Sequence, residues 1–208
     1  LGSQTSAGIL FETDLRLRPN GDSGLLAVSV DSFRDYQLKH AWVWEHQALT
    51  RARFCAGDPA VGARFEEIRC EILCQQRDLA KLREEVVAMR RKMVGAHASD
   101  SESAFNLKHD PGGIIDVEFI VQYLVLGHAH RHQRLTGNLG NIALLRIAAE
   151  LGLIPTDQAT AAGNAYREYR RLQHAKRLSA NPRGRVERDS IARHIAAVNG
   201  LWQTVFGK

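Results

Sequence analysis

The chain has 208 residues, of which 44% are hydrophobic and 25% charged, with a formal net charge of +5. That length buries a core without disulfides or bound metal, and the mixture excludes wholesale disorder and fibrous architecture. No run reaches the roughly 18 to 20 apolar residues that a bilayer-spanning helix needs, and residues 1–6 lack a basic-then-apolar signal pattern, so the reading is cytoplasmic, with no membrane partner.

The chain opens on Leu1, and an apolar segment begins within ten residues, so the start is read as lying inside a larger protein. Alternation over residues 8–18 predicts a strand that places Asp14, Arg16 and Arg18 on one face. Turn formers fill residues 19–24, and residues 25–30 read as a second short strand or extended segment. From Asp31 or Ser32, as N-cap, apolar residues recur at helical spacing through Ala52.

The remainder reads as helical. Asp58-Pro59 starts a helix running to about Cys74, and Asp78 caps another with Leu82, Val86, Met89 and Met93 on one stripe. The polar stretch 98–103 separates this half from a second group of helices near 115–130, 141–151, 156–179 and 187–206. The fold class is therefore mainly α, with short strands at the start and a helical bundle to follow. The expected divisions are 1–54, 55–103 and 104–208.

The positive balance favours acidic partners such as nucleotide phosphates. Because acidic residues interleave with the basic ones over 64–69 and 81–85, helical pairing accounts for those charges and nucleic-acid binding is not required. Cys55, Cys70 and Cys74 are odd in number and lack CxxC spacing, which reads as reduced thiols rather than a disulfide framework or a zinc site. The tract His128, His130 and His132 has no carboxylate at helical spacing to complete a metal site.

Three constellations offer chemistry. Asp14 beside Arg16 and Arg18 suits a divalent-metal and phosphate site, although a solvated charged strand face has the same pattern. In Lys108-His109-Asp110-Pro111-Gly112-Gly113-Ile114-Ile115-Asp116-Val117-Glu118, Gly112 and Gly113 permit close backbone approach at a helix start. Lys108 there is a candidate phosphate contact, and Asp116 or Glu118 a candidate cation contact; as first-turn acids they also suit an ordinary helix cap. In Trp42-Val43-Trp44-Glu45-His46-Gln47-Ala48-Leu49-Thr50-Arg51-Ala52-Arg53, Glu45, Arg51 and Arg53 are placed to brace the Asp14 strand. The two tryptophans diverge on a helix, which suggests one in the core and one at an interface.

These three motifs, together with Leu135-Thr136 and Asn141-Ile142, closely resemble bacterial glutamine synthetase adenylyltransferase over nearly the whole chain. The Trp-x-Trp-Glu-His-Gln segment resembles that family's second, adenylylating half. The resemblance implies the last strands of a nucleotidyltransferase domain followed by a helical bundle. It also implies transfer of AMP from ATP to a tyrosine of glutamine synthetase, with Mg²⁺, under control of the PII signalling protein and glutamine. By position, Asp14 matches the third catalytic carboxylate and metal ligand, while Arg16, Arg18 and Lys108 steady phosphates; Glu45, Gly112, Gly113, Asp116 and Glu118 are possible site support. In the family a Gly-Ser motif and an Asp-x-Asp pair precede that strand. Nothing upstream of Asp14 supplies them, so the chain alone is expected to be inactive. A second reading is a helical binding module that docks glutamine synthetase or PII.

Overall fold

The computed structural model describes residues 4–6, 8–9, 24–97, 103–178 and 185–207. Its elements in order are β1 (Gln4–Thr5), β2 (Gly8–Ile9), α1 (Val30–Lys39), α2 (Val43–Leu49), α3 (Pro59–Leu73), α4 (Leu79–His97), β3 (Ala104–Asn106), α5 (Ile114–His128), α6 (Asn141–Glu150), α7 (Thr156–Leu178), β4 (Arg185–Glu187) and α8 (Ala192–Phe206). Short 3-10 turns occupy Gln133–Thr136 and Asp189–Ile191. No described helix is long and apolar enough to cross a membrane.

Helix α5 organises the bundle. Its sequence is apolar on every side, the mark of a helix surrounded by others, and only Glu118 and His128 of its fifteen residues escape full burial. Helices α2, α4, α6, α7 and α8 all pack around it. Its two buried polar residues besides the glycine have partners: Gln122 accepts a 2.8 Å hydrogen bond from Gln47 Nε2, and Asp116 pairs with Arg90 of α4. Helix α8 closes the far side, where Phe206 stacks against Tyr123 and Trp202 with ring centroids 5.0 and 4.3 Å apart.

A smaller cluster of Leu49, Ile68 and Ile72, flanked by Val30 and Phe33, holds α1 and α2 on α3. Buried Arg69 ties this cluster to the bundle by donating to the carbonyl oxygens of Leu49, Thr50 and Thr136 at 2.9–3.1 Å. Arg77 does similar work after α3, reaching the carbonyls of Ile72 and Leu126, and burial pushes its pKa down to about 10.

Several expectations are met. The Asp58 carboxylate accepts from Ala60 N–H at 2.8 Å and starts α3 with Pro59 in the first turn, and Asp78 accepts from Ala80 N–H at the start of α4. Others change. The single helix expected from Asp31 to Ala52 is two, because Trp42 is extended and its N–H is captured by Glu45 Oε2 at 2.8 Å, which starts a new helix. The first of the two begins two or three residues earlier than expected, with Ser29 Oγ as its cap at 3.1 Å from Ser32 N.

Residues 25–29 are not a strand; Leu25 and Leu26 are exposed, and no described strand pairs with them. The expected final helix from 187 starts instead at Ala192: Glu187 ends β4, which pairs antiparallel with β3 through Phe105 and Val186, and Asp189–Ile191 form a 3-10 turn. Both tryptophans keep solvent exposure, 70% for Trp42 and 37% for Trp44, so neither is the core residue anticipated.

Candidate functional site

Asp14, Arg16 and Arg18 lie outside the described residues. The remaining candidates fall into two groups at opposite ends of the first turn of α5, with Glu45 apart from both.

Glu45 is buried. Its carboxylate accepts from Tyr36 Oη at 2.9 Å as well as from Trp42 N–H, so it joins α1 to the start of α2. Next to it, His46 Nε2 lies 3.0 Å from the Gln37 carbonyl oxygen, and burial holds its pKa below the ordinary histidine value.

The first group is the turn between β3 and α5. Asn106 Oδ1 accepts from the N–H groups of Lys108 and His109, and Asp110 Oδ2 accepts from Asn106 N–H at 2.8 Å, which folds the chain back on itself. Asp116 then reaches backward: its Oδ2 accepts from Gly112 N–H at 2.5 Å, and its Oδ1 is bound by Arg90 Nε. Arg90 also donates to the carbonyls of His109 and Asp110 at 2.9 and 3.3 Å. Buried Tyr169 of α7 donates to the Gly112 carbonyl at 3.0 Å, and burial together with Asp116 raises its pKa.

Both glycines have steric reasons to be here. Gly112 has φ +88°, and a Cβ on it would lie 2.9 Å from Ile195 Cγ2. A Cβ on Gly113 would lie 2.7 Å from the Leu107 carbonyl oxygen. The close approach predicted for this pair is thus an approach of protein to protein. Lys108 is exposed at the outer edge of the turn.

The second group surrounds Glu118. Its Oε1 accepts from Arg51 Nη1 at 2.8 Å and from Tyr166 Oη at 3.2 Å. Arg51 belongs to the segment after α2, Glu118 to α5 and Tyr166 to α7, so three separate parts of the chain meet on one carboxylate. Burial raises the Tyr166 pKa, reinforced by Glu118 and opposed by a hydrogen bond with Asn141 at the start of α6. Beside this junction lies a groove of about 440 Å³ lined by Arg51, Arg53, Asn138, Asn141, Tyr166 and the backbone around Gly140.

The structure therefore brings Gly112, Gly113 and Asp116 together and sets Glu118 with Arg51, away from them. Among the described residues no group of three or more His, Cys, Asp or Glu side chains is placed to hold a metal ion. Asp116 and Glu118 already face cationic partners. The described residues do not fit a divalent-metal site.

Arg90, Tyr166 and Tyr169 escaped sequence reasoning. Arg90 had a signal: it continues the apolar stripe Leu82, Val86 at the next i+4 position, and a charge in a stripe demands a buried counter-charge. The tyrosines sit among arginines and glutamates on α7, where nothing local marks their partners.

Short paired strands at the start followed by a helical bundle are the architecture expected of the end of a nucleotidyltransferase domain with a helical region appended. Residues 1–68 match the family model described as glutamate-ammonia ligase adenylyltransferase, and residues 79–203 match that described as GlnD PII-uridylyltransferase. The chain is 66% identical over 207 residues to the bifunctional glutamine synthetase adenylyltransferase/adenylyl-removing enzyme of Aromatoleum aromaticum, covering 100% of this chain and 22% of that protein. Proteins of the same description from Nitrosomonas europaea and Bordetella bronchiseptica are 56% and 57% identical, over 100% and 99% of this chain and 24% and 22% of theirs. The chain belongs to the bacterial glutamine synthetase adenylyltransferase family. It spans between 22% and 24% of the length of these relatives.

Proposed function

We propose that the chain is part of a cytoplasmic nucleotidyltransferase that transfers AMP from ATP to a tyrosine hydroxyl of glutamine synthetase and so regulates nitrogen assimilation. The observation that carries this reading is the match of relatives so described over the entire chain, including the segment that holds Asp14.

In the intact enzyme a divalent metal, Mg²⁺, would neutralise the triphosphate and activate the attacking hydroxyl. Asp14 is the candidate ligand in this chain, with Arg16, Arg18 and Lys108 as candidate phosphate contacts. Glu118 orients Arg51, and Asp116 with Gly112 and Gly113 shapes the turn that starts α5; both act on the site through other residues.

The chain alone has one carboxylate of the set that such a reaction needs and is proposed to be inactive by itself. Control by PII and by glutamine belongs to the same proposal. Replacing Asp14 by Asn in a full-length relative tests the catalytic reading: incorporation of AMP into glutamine synthetase should fall by at least about a hundredfold. Activity near the parent level would refute the assignment.

A docking role for the bundle is a second reading, favoured by the apolar side chains exposed near α1 and α2, Leu25, Leu26, Trp42 and Phe54. Pull-down of glutamine synthetase and of PII by this chain would distinguish the two.

A further inference from the structure

We infer that the cavity between α4, the β3–α5 turn and α8 binds a small monocarboxylate with an apolar body, whose carboxylate accepts from the Arg90 guanidinium. The cavity holds about 480 Å³ and shares no lining residue with the groove beside Glu118. That volume is ordinary for a small-molecule site, in which apolar walls surround a few placed polar groups.

An unmatched donor marks the site. Arg90 is 3% exposed; its Nε goes to Asp116 and its Nη2 to the carbonyls of His109 and Asp110. Its Nη1 is buried and has no hydrogen-bond partner among the described residues, and Arg90 is one of the residues that line the cavity. Nη1 is thus the arm of the guanidinium left for whatever the cavity takes. A buried guanidinium keeps its charge, so a donor left over on it carries a free-energy cost that a ligand oxygen would offset.

Charge selects the kind of oxygen. The lining contains two cations, Arg90 and Arg91, against one anion, Asp116. Both oxygens of Asp116 are engaged, Oδ1 by Arg90 and Oδ2 by the Gly112 N–H. An ammonium group entering the cavity would therefore find no free carboxylate, whereas a monoanion balances the lining and meets the guanidinium through the strong pairing of arginine with a carboxylate.

The remaining walls describe the rest of the ligand. Val87 and Val94 of α4 and Pro111 face the cavity, as do Trp202 and Phe206 of α8, whose rings stand 4.3 Å apart. Such surfaces suit a hydrocarbon chain or a ring and penalise further charge. Asn199 and Gln203, one turn apart on α8 and both exposed, place amides at the rim. A carboxylate at the Arg90 end and an apolar body between the helices satisfy each wall, and none of these contacts depends on adenylyl transfer.

The test is heteronuclear NMR of the 208-residue chain titrated with hydrocinnamate, its uncharged amide and L-phenylalanine, which is the same acid bearing an ammonium group. Hydrocinnamate should shift the Trp202 indole N–H and the Arg90 Nε–H together and saturably. The amide should bind about tenfold more weakly, the loss of one charge-assisted contact, and L-phenylalanine more weakly than hydrocinnamate as well. Arg91→Gln should weaken the acid about threefold, as expected for an exposed charge. Asn199→Phe, which fills the rim from an exposed position, should abolish saturation, while Arg146→Gln on α6 should leave the affinity unchanged. All three variants should keep the parent melting temperature, because all three side chains are exposed. No saturable shift overturns the inference, as do an amide that binds as tightly as the acid, L-phenylalanine that binds more tightly, or Asn199→Phe that binds like the parent.

Discussion

Arg90 and Asp116 form a buried ion pair between α4 and α5, their side chains only 3% and 5% exposed. The pair is completed by backbone: Asp116 takes the Gly112 N–H, and Arg90 takes two carbonyls of the same turn. Charges removed from water are tolerable only when their remaining hydrogen-bonding positions are filled, and most of them are filled by the chain that leads into α5.

Breaking this pair should be costly. Arg90→Met leaves a buried carboxylate without its counter-charge and should lower the free energy of unfolding by about 3–5 kcal/mol, measured by urea denaturation. The double variant Arg90→Met with Asp116→Leu should recover part of that loss and remain less stable than the parent, because the Gly112 N–H is left without its acceptor. A loss under about 1 kcal/mol in the single variant would show that the pair is dispensable.

Gly112 should not tolerate a side chain. At φ +88° and with Ile195 Cγ2 at 2.9 Å from an added Cβ, Gly112→Ala should destabilise by about 2 kcal/mol through strain and overlap together. Gly95→Ala in α4 and Gly200→Ala in α8 meet nothing within 4 Å and should instead stabilise by about 0.5–1 kcal/mol through helix propensity. Thermal melts of the three variants read the opposite signs directly.

The Arg51–Glu118 contact should contribute position more than stability. With Arg51 54% exposed, water screens the pair, so a double-mutant cycle on Arg51→Ala and Glu118→Gln should return a coupling of about 0.5–1 kcal/mol. A coupling near that of a buried pair would contradict this assignment.

Acidification should destabilise the fold above the range where carboxylates titrate. Burial lowers the pKa of His46, and those of His109, His128 and His194 shift the same way, so below the ordinary histidine value the unfolded chain binds protons that the folded chain refuses. The stability from neutral histidines is complete above about pH 6.5 and is lost as the pH falls from there through the folded pKa values. The melting temperature should drop between pH 7.5 and 5.5, with a shallower slope in His46→Gln; a flat profile would show that these histidines protonate freely in the folded state.

Helix starts were legible because their chemistry is local. Asp58-Pro59 and Asp78 act within their own turns, and α5 is legible because a fully apolar helix with two caged polar residues has one sensible place in a bundle. The β3–β4 pair was not legible: three residues such as Ala104-Phe105-Asn106 carry too little period to mark a strand, and the partner lies beyond α7. The break at Trp42 was hidden because Phe33, Tyr36 and Gln37 before it and Glu45, His46 and Leu49 after it each keep helical spacing, while the capture of its N–H by Glu45 has the same sequence appearance as a residue inside one helix.

The roles of the candidate residues divide along the same line. The two glycines predict close approach from composition alone, but whether a ligand or another part of the protein approaches depends on Ile195, far along the chain. Likewise Glu118 announces a carboxylate at a helix start, while Arg51 and Tyr166, which determine what it does, arrive through tertiary packing.

The arrangement of α5 also bears on how the chain is made. Ribosomal synthesis delivers this helix long before α8, which begins at residue 192 and covers one of its sides through Ile195, Val198 and Leu201. Until then a thoroughly apolar cylinder has an open flank, and nascent chains halted before that point should be taken up by chaperones or aggregate, whereas those halted before α5 emerges should stay soluble.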